Sequence, residues 1–309
     1  MRCVHCDIER KGTGTLSTRV VERLLDEVGW GTMEIMPFIG GEPTLAPIDD
    51  LAPLARRYNN YFNFITNGYR FTRDYYRAIA DCTARVHFSL HSHHPEVYRE
   101  LMPGLDFETV VRNLAAAVEI GAEHGAQILT GLVVMHDNLE DLSDYVRFVH
   151  GLGIRRVIFQ KLYPWTQAHD RQGVEGRRAP AEIARHVRRA LETALELGVF
   201  LETNLDEAFG DERNQNPWSS RFDVLQSSSH VVQLFHPGFC ISTAVTTLVE
   251  WDGTVQPCCR DRIVLGNLNE QSFGEIWNGD AMKRLRESFF RRQLSLFCGK
   301  CMAFYNGHA

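Results

Sequence analysis

Apolar side chains along this chain recur with two periods in alternation, and the alternation predicts its architecture. Near the helical period stand Val20, Val21, Leu24, Leu25 and Val28, behind a cap at Ser17 or Thr18. The same spacing returns at Leu51, Leu54 and Tyr58, at Phe107, Val110, Val111, Leu114 and Val118, and at Leu142, Tyr145, Val146 and Val149. It returns again at Ile183, Val187, Ala190, Leu191 and Leu195. Between these faces lie short apolar or β-branched runs at 33–39, 61–65, 85–90, 128–134 and 155–159, with a sixth candidate strand at 199–203. Strands alternating with crossover helices predict an α/β fold with a mostly parallel sheet. Residues 1–204 read as a partial (β/α)6 TIM-like barrel, and the repeat expects a further strand before the opening cysteines, missing from this chain. Ligands of such a fold gather at the C-terminal ends of the strands, so the residues just after each strand carry the most functional weight.

Past residue 204 the alternation dissolves. Residues 205–236 are polar, rich in Asn, Asp and Ser, and read as a linker or a lid over the barrel mouth. A small α+β module follows over 237–309: a strand from Ser242 to Glu250, a turn at Asp252-Gly253, a strand from Thr254 to Pro257, and helices from about Phe273 and Asp280. Ser272 and Glu275 have the spacing of a capping box.

Composition narrows the class. With 309 residues, 44% apolar and 23% charged, the chain can bury a large core. A formal net charge of −6 argues against general nucleic-acid binding. No apolar run reaches membrane-spanning length and no secretory signal opens the chain, so a cytoplasmic location is expected, with no membrane partner. Of its 8 cysteines most lie in C-x-x-C pairs or at Cys258-Cys259, which points to metal rather than disulfides.

The chemistry-bearing residues fall at the predicted strand ends. Cys3 and Cys6 form a C-x-x-C around His5. If they are the tail of C-x-x-x-C-x-x-C, the first cysteine lies upstream of Met1 and the chain is truncated. Three thiolates in one loop hold three irons of a four-iron cluster and leave the fourth open, whereas two thiolates in one loop suit zinc or redox chemistry. After the first remaining strand, Gly40, Gly41, Glu42 and Pro43 set a carboxylate beside open backbone, a pairing suited to an ammonium group or to a tight turn. Asn67 lies in a turn after the next strand, and Ser89 ends the strand before the histidines at 91, 93 and 94. Asn138 follows a later strand, either at a ligand or as a helix cap. Cys240, Cys258, Cys298 and Cys301 are four soft ligands able to close around zinc or a cubane cluster, with Cys259 as the alternative to Cys258. Cys82, just before a strand, reads as a packing residue.

Taken together these motifs resemble the radical S-adenosylmethionine (SAM) superfamily, and the C-terminal cysteines resemble its SPASM or twitch auxiliary module, including Gly266-Asn267-Leu268 and Glu275-Ile276-Trp277. The resemblance implies that Cys3 and Cys6 hold a SAM-binding 4Fe-4S cluster, one ligand short in this chain, and that His5 borders the adenine. It implies that Gly40, Gly41, Glu42 and Pro43 receive the SAM amino group, with Asn67, Ser89 and Asn138 as further SAM contacts. Relatives often carry arginine where this chain has Met102, and Arg99, on the same helical face, is the substitute. One auxiliary 4Fe-4S cluster is expected on Cys240, Cys258, Cys298 and Cys301. The implied activity is that of an oxidoreductase-type enzyme: reductive cleavage of SAM to a 5′-deoxyadenosyl radical and hydrogen abstraction from a peptide or natural-product substrate. A one-electron reductant such as flavodoxin or ferredoxin is the implied partner. The alternatives are a dehydrogenase or epimerase acting on a sugar or cyclitol, and a non-catalytic zinc-binding interaction protein on a degenerate barrel. An NAD-type oxidoreductase is disfavoured because no G-x-G-x-x-G follows a strand.

Overall fold

The computed structural model describes residues 3–4, 6, 14–37, 41–162, 173–174, 177–203, 205, 240, 242–258, 263–295 and 298–299. In chain order the elements are α1 (Thr18–Val28), β1 (Glu34–Ile35), α2 (Ile48–Tyr58), β2 (Tyr61–Thr66), α3 (Arg73–Arg77), β3 (Thr83–Ser89), α4 (Pro95–Leu101), α5 (Phe107–His124), β4 (Gln127–Val134), α6 (Leu142–Gly151), β5 (Arg156–Lys161), α7 (Pro180–Leu197) and β6 (Phe200–Thr203). They are followed by α8 (Ser242–Val245), β7 (Leu248–Val249), β8 (Thr254–Gln256), β9 (Gly266–Asn267), α9 (Phe273–Trp277) and α10 (Asp280–Phe290). The chain divides into two units, one of Met1–Gly12 with Met33–Ser219 and one of Thr13–Thr32 with Ser220–Ala309.

In the larger unit six strands pair in the order β1-β2-β3-β4-β5-β6, every pair parallel. Parallel neighbours in sequence order need right-handed crossovers, which put every crossover helix on one face of the sheet. Side chains alternate along a strand, so each strand presents one set to the helices and the other to the inner face. Phe62, Phe64, Val86, Phe88, Leu132, Val134, Val157, Phe159 and Leu201 form the helix-side set, none more than 1% exposed. Aromatic rings make its centre, with Phe64, Phe71 and Phe88 meeting edge to face at centroid distances of 5.5 to 5.6 Å. Each such ring contributes on the order of 1.5–3 kcal/mol by leaving water. The opposite set is mixed: Asn63 on β2, Arg85, His87 and Ser89 on β3, Gln127 and Gly131 on β4, Arg156 on β5 and Glu202 on β6 share the inner face by register with Ile65, Leu129, Ile158 and Phe200.

Caps set the helix limits. Asp106 accepts a hydrogen bond from the Thr109 N–H at the start of α5, and Gly125 and Gly198 take left-handed backbone at the ends of α5 and α7. Cys82 is buried in the core, as its sequence position suggested, with Sγ 3.4 Å from the Ile79 carbonyl oxygen.

The smaller unit joins α1 to the C-terminal module. Val20 of α1 is buried in one cluster with Val255, Leu265, Leu268, Phe273, Ile276, Met282, Leu285 and Phe289. The Glu27 carboxylate of α1 accepts from the Gly274 N–H at 3.1 Å, at the start of α9. The strand expected from Ser242 to Glu250 is corrected: Ser242–Val245 is one helical turn and only Leu248–Val249 is extended. The Thr243 carbonyl accepts from the Arg286 guanidinium, which also donates to the Trp277 carbonyl and lies 4.7 Å over the Trp277 ring. That anchoring overrides the β-branched local sequence. The Asp252-Gly253 turn and the Ser272–Glu275 capping box are present.

Candidate functional site

At the C-terminal end of β2 the chain builds a carboxylate cradle. Glu42 precedes a 3-10 turn at Pro43–Leu45. Its Oε1 accepts from Thr44 N–H at 3.3 Å, Thr44 Oγ1 at 3.0 Å and Thr66 Oγ1 at 2.6 Å, while among the described residues Oε2 accepts from Asn67 N–H alone, at 2.9 Å. Thr66 ends β2 and is 1% exposed. The Asn67 side chain accepts from Tyr69 N–H, and the amide of Asn113 on α5 donates to the carbonyls of Gly68 and Tyr69. Gly68 permits this turn, with φ +78° and the Phe88 ring 2.6 Å from where a Cβ would stand. Four donors on a carboxylate fix its direction. Oε2, with one donor, keeps lone pairs for another.

Gly41, next to Glu42, is exposed, and a Cβ there would meet nothing within 4 Å. Its φ is not in the left-handed range, so among the described residues the backbone beside Glu42 is open. Gly40 and His5 lie outside the described residues. Pro43 is buried and fixes the turn.

Cys3 and Cys6 are drawn together by a turn in which Cys6 N–H donates to the Cys3 carbonyl at 3.1 Å, and Val4 N–H ties the loop to the Leu101 carbonyl at the end of α4. Cys3 is half-buried against the core and Cys6 is exposed. Burial, then the Cys6 thiol, pushes the Cys3 thiol up to about 11. Without a bound cation Cys3 is therefore a thiol at neutral pH. Among the described residues no third Cys, His, Asp or Glu joins them in a metal-binding group. The donor type fits an iron-sulfur cluster and the number of described donors is two.

The other sequence candidates separate into exposed, half-buried and committed residues. Ser89 is half-buried at the end of β3, opposite Gly131 of β4. Arg99 is exposed on α4, and Met102 is 2% exposed in the core. Asn138 is 2% exposed; its amide donates to the His91 and Val133 carbonyls, and its Oδ1 accepts from Met135 N–H. It is not the cap of α6, which is Asp141, but a clasp between the loops after β3 and β4. A ligand reaching its amide hydrogens would have to break one of those bonds. His91 Nδ1 accepts from Val133 N–H, and His94 Nε2 faces Asp141 at 3.7 Å, so these two histidines shape loops.

In the smaller unit Cys240, Cys258 and Cys298 are half-buried, with Cys240 and Cys298 against its core. Among the described residues they do not form a metal-binding group of three, and Cys259 and Cys301 lie outside those residues.

Two family models match this chain: the radical SAM superfamily over residues 1–149, and the SPASM iron-sulfur cluster-binding domain over residues 240–302. The chain belongs to the radical SAM superfamily. It is 27% identical to the mycofactocin maturase MftC of Mycobacterium ulcerans (strain Agy99), over 97% of this chain and 76% of that protein. It is 23% identical to the AdoMet-dependent heme synthase of Methanosarcina barkeri (strain Fusaro / DSM 804), over 97% of this chain and 84% of that protein. Its fold is that of Streptococcus suis SuiB bound to S-adenosylmethionine (TM-score 0.64, 16% identity, 90% of this chain) and of anSMEcpe with bound AdoMet and Cp18Cys peptide (TM-score 0.64, 18% identity, 98% of this chain and 83% of that chain). The chain spans 62% of the length of SuiB. A radical SAM domain implies a 4Fe-4S cluster and SAM, and a SPASM domain implies auxiliary iron-sulfur binding.

What the sequence did not reveal is the scaffold behind the Glu42 carboxylate: Thr44, Thr66 and Asn113 come from three elements. A hydroxyl residue ending the strand before Asn-Gly is the one local sign of it.

Proposed function

We propose that this chain is a radical SAM enzyme in which Glu42 receives the SAM ammonium, acting on a peptide or natural-product substrate. The single observation that carries the reading is the Glu42 carboxylate, oriented by Thr44, Thr66 and Asn67 beside the open backbone at Gly41. Oε2 of Glu42 accepts an ammonium hydrogen, Asn67 holds the carboxylate in place through its N–H, and Ser89 offers a hydroxyl from the next strand. Arg99 supplies the positive charge for the SAM carboxylate, and the clasp of Asn138 keeps the loops behind it in register. Cys3 and Cys6 contribute two thiolates to the cluster, and Cys240, Cys258, Cys298 and Cys301 hold one auxiliary 4Fe-4S cluster. When bound, cluster and SAM supply one-electron cleavage of the sulfonium and hydrogen-atom abstraction. The peptide preference draws on the peptide named with anSMEcpe and on the precursor peptide SuiA named with SuiB.

Equilibrium dialysis of anaerobically purified protein against labelled SAM tests the reading. Glu42→Gln keeps the shape but removes the charge, and about tenfold weaker SAM binding is expected, the effect of a charge-assisted hydrogen bond. Equal affinity would sink the assignment of Glu42, and protein holding zinc in place of iron and sulfide would sink the enzyme reading.

A further inference from the structure

The inner face of the sheet carries two polar side chains with no hydrogen-bond partner among the described residues. His87, in the middle of β3, is 8% exposed, yet neither ring nitrogen makes a hydrogen bond among the described residues. Arg85, two residues earlier on the same face, is half-buried and makes no hydrogen bond among them, though its charge is felt by the Glu202 carboxylate. The ring nitrogens of His87 are not among the wholly buried unpartnered atoms, so they open to the inner face and remain available to a ligand there.

The surroundings are built around the imidazole. Its neighbours by register are Ile65 on β2 and Leu129 on β4. A Cβ at Gly131 of β4 would run into the ring, so the absent side chain is the cradle that seats it. Below it, Arg156 is committed to Glu202 at 3.3 Å and Gln127 at 3.3 Å, and Glu34 of β1 accepts from Asn63. Burial, then the charges of Arg85 and Arg156, holds the His87 ring neutral, pushing its pKa down to about 4. A neutral imidazole N–H beside a guanidinium whose hydrogen-bond donors are free among the described residues is a donor pair suited to an anionic oxygen group.

We infer that Arg85 and His87 are the floor of the substrate site, where they seat a carboxylate of the substrate below Ser89. The inference rests on the proposed SAM chemistry only for the direction from which the substrate is attacked. A carboxylate can come from an acidic side chain or from a peptide C-terminus, and both present the same pair of oxygens to the guanidinium fork.

Isothermal titration of the anaerobically purified full chain, with SAM present, separates these cases with three probes: Ac-Gly-Glu-Gly-NH2, Ac-Gly-Gly-Gly with a free carboxyl terminus, and the neutral Ac-Gly-Gln-Gly-NH2. A carboxylate-bearing peptide is expected to bind at least about tenfold tighter than the neutral one. Preference for the first assigns a side-chain carboxylate, and preference for the second a chain terminus. Arg85→Gln should abolish the preference. Gly131→Ala should abolish it too, by displacing the imidazole while Arg85 stays in place. Equal binding of all three peptides, or a preference that survives both substitutions, overturns the inference. SAM binding by the unmodified protein is titrated separately: SAM bound without carboxylate preference rejects this floor alone, and carboxylate preference without SAM binding rejects the SAM reading alone.

Discussion

Gly68 shows how much one residue decides here. Its φ of +78° is costly for any side chain, and an added methyl would also press on Phe88 and Val110. Gly68→Ala is expected to destabilise the larger unit by about 2–3 kcal/mol, measured by urea unfolding, and to weaken SAM binding, because the same turn aims Asn67 N–H at Glu42. His87 makes stability depend on pH. Its folded pKa of about 4 lies below the ordinary histidine value of 6.5, so the unfolded chain binds the proton first as pH falls. Its contribution is whole above about pH 6.5 and drains away until the pH passes about 4. His87→Asn should flatten that slope of unfolding free energy against pH, and an unchanged slope would mean the ring is not neutral in the folded protein. Glu42 was legible because Gly-Gly-Glu-Pro is contiguous. Thr66 and Asn113 were not, since their meeting with the Glu42 turn depends on β2 pairing and on the docking of α5. His87 was hidden inside a run read as a strand, because alternation does not say which neighbour fails to provide a partner.

Among the elements, the strands of the sheet were legible to within a few residues because parallel strands packed under helices keep dense apolar runs. Their order followed from the alternation with helices, since sequence neighbours pair in turn. The misreadings lie where elements are short. The run at 33–39 yields only Glu34–Ile35 as described strand, at the open edge of the sheet. Ser242–Val245 is β-branched by composition and helical by contact with Arg286. Where the local code is self-contained it holds: Ser272 Oγ accepts from Glu275 N–H at 3.3 Å, and Glu275 Oε2 accepts from Ser272 N–H at 2.9 Å. Ser272→Ala should cost about 1 kcal/mol and speed hydrogen exchange at the first amides of α9. Protection left intact would show that the helix is held by Phe273 and Ile276 alone.

For the whole molecule, the two units differ in how far packing alone sustains them. The larger has a continuous core from Ile48 to Leu205, whereas the smaller rests on a short cluster around Phe273, Met282 and Phe289. Small cores of that kind usually need a metal or a disulfide. Removing iron with a chelator, or Cys258→Ser, should therefore lower the unfolding temperature of the smaller unit and leave that of the larger in place, resolved by calorimetry or by exchange in each unit. A single transition moving as one would contradict this division. The make-up of the smaller unit was the least legible feature, because the apolar face of α1 reads the same whether it covers a sheet or a distant module.

The nascent chain inherits that arrangement. Each strand of the sheet pairs with the one made just before it, so the larger unit can assemble in step with synthesis. Helix α1 emerges before the six-stranded sheet but docks with residues up to Phe289, which leave the ribosome tens of seconds later at ~5–20 residues per second. Until then its apolar stripe is bare, a natural handle for a chaperone. Burial of that stripe is accordingly a step that follows synthesis of α10.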